Sequence, residues 1–312
     1  MAALQNIKLI TGNANPQLAE KIARYLEVDL VSCQVGRFND GEVQVKMEES
    51  VRGGHAFVLQ PTSPPVNDNL MELLIIIDAL RRASVNQITA VLPYFGYARQ
   101  DRKTQPRDPV SAKLVANLIT ASGADRVVSI DLHAPQIQGF FDLPFDNLLA
   151  EPIFVDYFRQ KSLEDVVVVA PDVGAVKEAR RFAAKLKVPM AIIDKRRPEP
   201  NRAEVMNIIG QVKGKNVIIR DDIIDTGGTL TEGAAHLKEA GCERVIGCCT
   251  HPILSGPARE RLSSGVFDEI VFSDTIPLDW DDPKVKILSV DKLLGEAIDR
   301  ISKNISVSAL FY

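Results

Sequence analysis

The 312-residue chain is poor in several features that would fix a function class, beginning with cysteine, of which it has 4. Cys33, Cys242, Cys248 and Cys249 make no C-x-x-C pair, and Cys248-Cys249 lies in an apolar run. Buried free thiols in a reducing cytoplasm are expected rather than a disulfide framework. Excess positive charge is missing: the formal net charge is -4, which gives bulk nucleic-acid binding no support. Long hydrophobic runs are missing too. The longest, Leu70 to Leu80, is interrupted by Glu72 and Asp78 and is too short to span a bilayer, so no membrane association is expected. The opening MAALQNIKLITG shows no basic segment followed by an apolar one, so no signal peptide is expected.

Apolar residues make up 46% of the chain, which argues against disorder, and the length suits two domains, each with a core. Short apolar runs alternate with amphipathic stretches. Ile7–Ile10, Val43–Met47, Ala56–Leu59, Ile88–Leu92 and Val127–Ile130 read as strands. Gln17–Leu26, Leu70–Ser84 and Ser111–Ala121 read as helices, the second apolar nearly all round and so expected to be covered on both sides. Pro144 and Pro152 mark a boundary near residues 143–152. The order then repeats, with strands at Val166–Val169, Met190–Ile193, Val217–Ile219 and Val245–Cys249 and helices at Lys177–Leu186, Leu230–Ala240 and Leu293–Ile301. Strand–helix alternation predicts an α/β fold with mainly parallel sheets flanked by helices and sites at the strand carboxyl ends. Residues 1–147 form the expected first domain. Residues 148–312 form the second, with a C-terminal tail able to pack back.

The most informative stretch is VIIRDDIIDTGGTL, Val217 to Leu230. An apolar strand ends, the carboxylates Asp221 and Asp222 follow, and Asp225-Thr226-Gly227-Gly228-Thr229 opens onto a helix. The first N–H groups of a helix have no intrahelical acceptor, and the helix dipole favours an anion there. Gly227 and Gly228 let the backbone close on a phosphate, and Thr226 and Thr229 add hydroxyl donors. Asp221 and Asp222 suit a sugar diol or a hydrated Mg2+. A sugar phosphate is the predicted ligand.

Other strand ends are also polar. Pro93 to Lys103 holds Arg99, Gln100, Arg102 and Lys103, with Arg107 beyond and Tyr94 and Tyr97 at its root, and suits a polyphosphate. Asp131-Leu132-His133 reads equally as a metal site or a packed pair. Asp194-Lys195-Arg196-Arg197-Pro198 reads as a solubilising basic turn or as a clamp on a moving phosphoryl group. Gly36-Arg37-Phe38-Asn39-Asp40-Gly41-Glu42 by itself reads as a hairpin with Asp-Gly at its tip.

With GRFNDGE, PYFGYARQDRK, DLHAPQIQGFF, the PDVGA loop, DKRRP, DDIIDTGGT and ISVSALF in order, the chain resembles the class I ribose-phosphate pyrophosphokinases over essentially its full length. The resemblance implies two phosphoribosyltransferase-like domains. It implies transfer of the pyrophosphoryl group of MgATP to O1 of ribose 5-phosphate, giving phosphoribosyl pyrophosphate and AMP. It implies ATP contacts from Phe38, Asp40, Gly41 and Glu42, reaching a neighbouring subunit, and from Arg99 and Gln100. His133 and Asp172 would lie at Mg2+, and Lys195 and Arg197 would be the catalytic cations. Arg197, Asp221, Asp222 and Asp225 to Thr229 would hold ribose 5-phosphate. It further implies a cytoplasmic hexamer with phosphate and ADP as effectors. A phosphoribosyltransferase that consumes the product and a silent regulatory subunit are the rivals. Three positions depart from the family pattern. Ala175 stands where glycine is usual and is expected to tighten or displace its loop. Glu178 replaces an arginine, with Lys177 or Arg180 compensating. Arg220 replaces an apolar residue.

Overall fold

The computed structural model describes residues 7–196 and 205–311. Contacts group the chain into two units. The first runs to Ala150 and includes Thr275–Pro277 and the segment from Ser289; the second comprises Glu151–Asp274 and Leu278–Leu288.

In the first unit β1 (Ile7–Thr11), α1 (Pro16–Leu26), the hairpin β2 (Cys33–Arg37) and β3 (Val43–Met47), β4 (His55–Leu59), α2 (Val66–Arg82), β5 (Gln87–Leu92), α3 (Ser111–Ser122), β6 (Arg126–Ile130) and β7 (Phe145–Leu148) follow in turn. Five of the strands form a parallel sheet ordered β1-β4-β5-β6-β7. Helix α1 starts at Pro16, whose missing N–H costs nothing there, and Asn15 caps it by accepting from the Leu18 amide at 3.2 Å. Ile10, Val58, Ala90 and Val127 form one core with Leu73, Ile77 and Leu80 of α2 and Val115 and Ile119 of α3.

The second unit contains α4 (Glu151–Gln160), β8 (Val166–Ala170), α5 (Val176–Leu186), β9 (Met190–Arg196), β10 (Val205–Ile209), β11 (Asn216–Ile224), α6 (Gly228–Glu239), β12 (Arg244–Pro252), α7 (Ala258–Leu262), β13 (Glu269–Ser273) and β14 (Val285–Leu288). Its sheet is ordered β10-β9-β8-β11-β12-β13-β14, parallel apart from the β9–β10 pair. The chain steps outward from β8 to β9 and β10, returns beside β8 as β11, and then steps outward the other way. The order therefore reverses between β8 and β11, and ligands gather at the carboxyl ends of such a pair.

The chain returns to the first unit as α8 (Asp291–Ser302), which packs on α1. Gly295 admits this contact, because a Cβ there would sit 2.3 Å from Tyr25 Cδ1. The segment from Ser289 thus groups with the first unit; the sequence pattern places it in residues 148–312, with a tail able to pack back.

Several elements differ from expectation. Asp221 and Asp222 do not follow a strand; they lie inside β11, which stays paired with β12 as far as Ile224. Residues Asp194 to Arg196 continue β9, and Lys195 sits opposite Met206 of β10, so this stretch is a strand and not a turn. Helix α2 starts a turn early and is not covered all round: Met71 is 48% exposed, while Glu72 is 3% exposed.

Candidate functional site

The site of the second unit is built where β11 leaves the sheet and α6 begins. Gly227 takes a φ of 70°, the left-handed region where an L side chain is strained, and stands at the N-cap of α6. No side chain caps this helix. By helix geometry the amides of Gly228, Thr229 and Leu230 have no intrahelical acceptor and point out of the helix start. The loop is pinned from behind: the Ser255 amide donates to the Asp225 carbonyl at 3.0 Å, and Arg261 Nη1 on α7 donates to the Thr226 carbonyl at 3.0 Å. A Cβ on Gly228 would lie 3.2 Å from the same Nη1, so glycine there leaves room for Arg261.

Asp172, Asp221 and the segment Ile223 to Leu230 line a cavity of about 180 Å³ at the reversal of strand order. Its lining thus combines the acidic residues Asp172, Asp221 and Asp225 with the loop and first turn of α6, including Thr226 and Thr229. The Asp221 carboxyl is pushed well above the usual carboxylate range, first by burial, then by the charge of Asp222 and a hydrogen bond to it, then by the charge of Asp172. Asp222 is not part of the cavity wall. A place that gathers carboxylates beside helix amides fits a ligand with hydroxyls or a cation at one end and an anion at the other.

Asp172 sits in the loop after β8, where its Oδ1 accepts from the Ala175 amide at 2.9 Å. Ala175 has φ -79° and ψ -4°, so its Cβ imposes no backbone strain on this loop. Glu178 falls in the first turn of α5, where a negative charge suits the helix dipole. Lys195 lies on β9, paired with β10. Arg197 lies outside the described residues.

In the first unit the residues proposed for nucleotide lie on exposed, well-tied backbone. Phe38 is 50% exposed at the turn of the β2–β3 hairpin. The turn is fixed by Phe38 N to Glu42 O at 2.8 Å, Gly41 N to Phe38 O at 2.9 Å, and Glu42 N to Asp40 Oδ1 at 3.1 Å. Gly41 supplies a φ of 95°. Arg99 and Gln100 are exposed just ahead of α3, and the Gln100 carbonyl accepts from the Ala112 amide at 3.2 Å. Of the two aromatics at the root of that loop, Tyr94 is buried in the core, and the Tyr97 hydroxyl is bonded to Asn67. Both serve packing. His133 is exposed just beyond β6.

Two groups of residues show no signal in the sequence. Arg261 holds the loop before α6 from 35 residues away. Glu72 Oε2 accepts from the Asn13 amide at 3.1 Å and from Gln60 Nε2 at 2.9 Å, while Asn13 Nδ2 donates to the Val35 carbonyl of the hairpin at 3.1 Å. This buried acid thereby ties the ends of β1 and β4 to the hairpin.

Comparison with known proteins agrees with this arrangement. Residues 7–123 match a family described as the N-terminal domain of ribose phosphate pyrophosphokinase, and residues 148–282 match the phosphoribosyl transferase domain. A ribose-phosphate pyrophosphokinase of Bacillus caldolyticus is 56% identical over 307 residues, covering 98% of each chain. That of Thermotoga maritima is 55% identical over 314 residues, covering 100% of each. The crystal structure of phosphoribosylpyrophosphate synthetase from Mycobacterium smegmatis superposes with a TM-score of 0.91 at 44% identity, covering 96% of this chain and 99% of that one. On this full-length likeness, and with a carboxylate-and-amide cavity where the strand order turns, the chain belongs to the ribose-phosphate pyrophosphokinase family.

Proposed function

We propose that the protein is a ribose-phosphate diphosphokinase. It moves the intact pyrophosphoryl group of ATP to O1 of ribose 5-phosphate, giving 5-phosphoribosyl 1-pyrophosphate and AMP for nucleotide biosynthesis. The observation that carries this reading is the cavity between Asp172, Asp221 and the uncapped start of α6, in a chain more than half identical to proteins named ribose-phosphate pyrophosphokinase.

The sugar 5-phosphate is assigned to the amides of Gly227 to Leu230 with the Thr226 and Thr229 hydroxyls, and Asp225 closes the loop. Asp221, with Asp222 beside it, orients the ribose hydroxyls. Phe38 gives the adenine ring a flat apolar face, with Asp40, Gly41 and Glu42 around it, and Arg99 and Gln100 bind the rest of the nucleotide. Ribose O1 attacks the β-phosphorus of ATP as the bond from that phosphorus to the α-phosphate oxygen breaks. The hydroxyl's proton passes to solvent water, and AMP leaves with the bridging oxygen. Such a transfer needs alignment and charge neutralisation more than covalent help. Lys195 and Arg197 supply cations to the migrating group.

We assign Mg2+ as the cofactor. Among the described residues no cluster of three or more His, Cys, Asp or Glu could hold a metal alone. Mg2+, however, is usually held by one or two carboxylates plus substrate phosphates and water. Asp172 and His133 keep the Mg2+ role that the resemblance implies, and the crowding of Asp221 by Asp222 and Asp172 gives a cation something to relieve. Bound with ATP, it neutralises triphosphate charge. We further infer a homo-oligomer, a hexamer by resemblance, with phosphate and ADP as effectors. The four free thiols suit the cytoplasm. Among the described residues no helix is long and apolar enough to cross a membrane.

Incubation with MgATP and ribose 5-phosphate tests the reading. AMP must appear, with the β- and γ-phosphates both on ribose O1. ADP as product overturns it. Binding of both ligands without turnover favours a regulatory subunit. Consumption of phosphoribosyl pyrophosphate only on adding a nucleobase favours a phosphoribosyltransferase.

A further inference from the structure

Arg220 precedes the carboxylate pair on β11 and is 5% exposed. A guanidinium so buried is costly unless its charge is held. Its Nη1 donates to the Asp221 carbonyl at 2.6 Å, and its Nη2 donates to Thr250 Oγ1 on β12 at 2.9 Å. Its central carbon lies 4.8 Å from the centre of the Phe154 ring and 6.0 Å from that of Phe182, a cation–π seat that limits swinging. The location gives these bonds a purpose. β11 pairs with β8 only through Ile219, but with β12 as far as Ile224. Beyond Ile219 the strand has a partner strand on one side alone, and this is where Asp221 must be presented to the cavity. The Thr250 carbonyl in turn accepts from Ser273 Oγ at 2.6 Å, so a line of hydrogen bonds crosses from β11 to β13 at the carboxyl edge of the sheet.

We propose that Arg220 is a positioning residue for the sugar-phosphate substrate, its planar fork fixing the β11 backbone at Asp221 so that this carboxylate faces the cavity. The inference rests on the ribose 5-phosphate reading of that cavity. In this chain arginine, standing where the family pattern has an apolar residue, suits the task because one rigid group bonds a backbone carbonyl and a neighbouring strand together, which a lysine ammonium on a flexible stem cannot do in the same way. A purely structural role predicts something different: replacing a buried charge with an apolar group of similar volume is often neutral or stabilising, and ribose 5-phosphate affinity would then stay at its wild-type value.

The test uses Arg220→Met, which keeps the packing on the two rings, with Arg220→Lys and Thr250→Val. Ribose 5-phosphate is titrated calorimetrically into each full-length protein, and steady-state constants are measured with MgATP. Arg220→Met should melt at or above the wild-type temperature. Its Kd and KM for ribose 5-phosphate should rise about tenfold, the scale of a lost charge-assisted hydrogen bond, while KM for ATP stays within about twofold. Arg220→Lys should recover little, and Thr250→Val should show a smaller loss of the same kind. Wild-type ribose 5-phosphate affinity in Arg220→Met overturns the proposal, as does an equal loss for both substrates. Should Arg220→Met fail to fold, Arg220→Lys and Thr250→Val decide by the same criterion. Failure of the wild type itself to bind ribose 5-phosphate strikes the cavity's assignment, a result distinct from either.

Discussion

The two sheets are threaded differently. In the first unit the order β1-β4-β5-β6-β7 advances in one direction, whereas in the second the order β10-β9-β8-β11-β12-β13-β14 reverses between β8 and β11. Successive crossovers in one direction leave no gap between the loops at the strand ends. A reversal sends the connections on either side apart and opens a crevice between two strand ends. The loops after β8 and β11, carrying Asp172 and Asp225 to Thr229, line such a crevice. The first unit instead offers its proposed nucleotide contacts on an exposed hairpin and a loop, with Phe38 standing half in solvent. On the proposed reading, the difference separates a unit that encloses the small sugar phosphate in a cavity from one that presents exposed groups to the larger nucleotide.

The sharpest way to break this contrast is to remove chemistry from the second unit. Lys195→Ala should lower kcat by a factor on the order of a hundred or more, the scale of losing a preorganised contact to transition-state charge, with smaller changes in either KM. Near-normal turnover in the folded variant reduces the basic end of β9 to a solubilising segment. Phe38→Ala tests the other side. Loss of one aromatic face for a base should raise KM for ATP about tenfold and leave KM for ribose 5-phosphate nearly alone. Equal effects on both constants erase the proposed division of labour.

What the sequence made legible follows the range of the interactions. The β11–loop–α6 unit is local: apolar run, acids, glycines and helix lie within 24 residues, so pattern alone locates it. α7 is missed because five residues make little more than one helical turn, too short to show a period. The end of β9 is misread because Asp194 to Arg196 carry charge, yet they are held in the strand by pairing with β10. Glu72 and Arg220 are illegible for a different reason. Each is a charged residue in a stretch that reads as apolar: the partners of Glu72 lie 12 and 59 residues away, and Arg220 reaches Thr250 from 30 residues away besides the adjacent Asp221 carbonyl.

The units also differ in their response to acid through His55. Its ring is buried at the start of β4, stacks on Phe57 at 4.1 Å, and lies with Nε2 2.8 Å from Thr89 Oγ1. Burial lowers its pKa from 6.5 to about 4, against the opposing pull of Asp125. The unfolded chain therefore takes up this proton first as pH falls. The contribution is intact above pH 6.5, declines from there to about pH 4, and changes no further below. Urea midpoints measured across that range should fall for the wild type and fall less steeply for His55→Gln. Parallel slopes in the two proteins place the acid sensitivity elsewhere.

The smallest expected effect concerns Ala175, where the resemblance points to glycine and a strained loop. Its φ of -79° and ψ of -4° are open to any L residue, its amide reaches Asp172 Oδ1 at 2.9 Å, and its carbonyl accepts from the Ala179 amide at 2.9 Å. The residue is already part of the helix start that holds Asp172 at the edge of the cavity. Glycine there adds no conformation that the loop uses and only widens the freedom of the unfolded chain. Ala175→Gly should therefore lower stability by about 0.4–1 kcal/mol in urea denaturation and leave kcat and both KM values within about twofold. A clear gain in turnover instead indicates that the loop passes through a left-handed state during the reaction, and that the alanine restrains the crevice wall it helps to build.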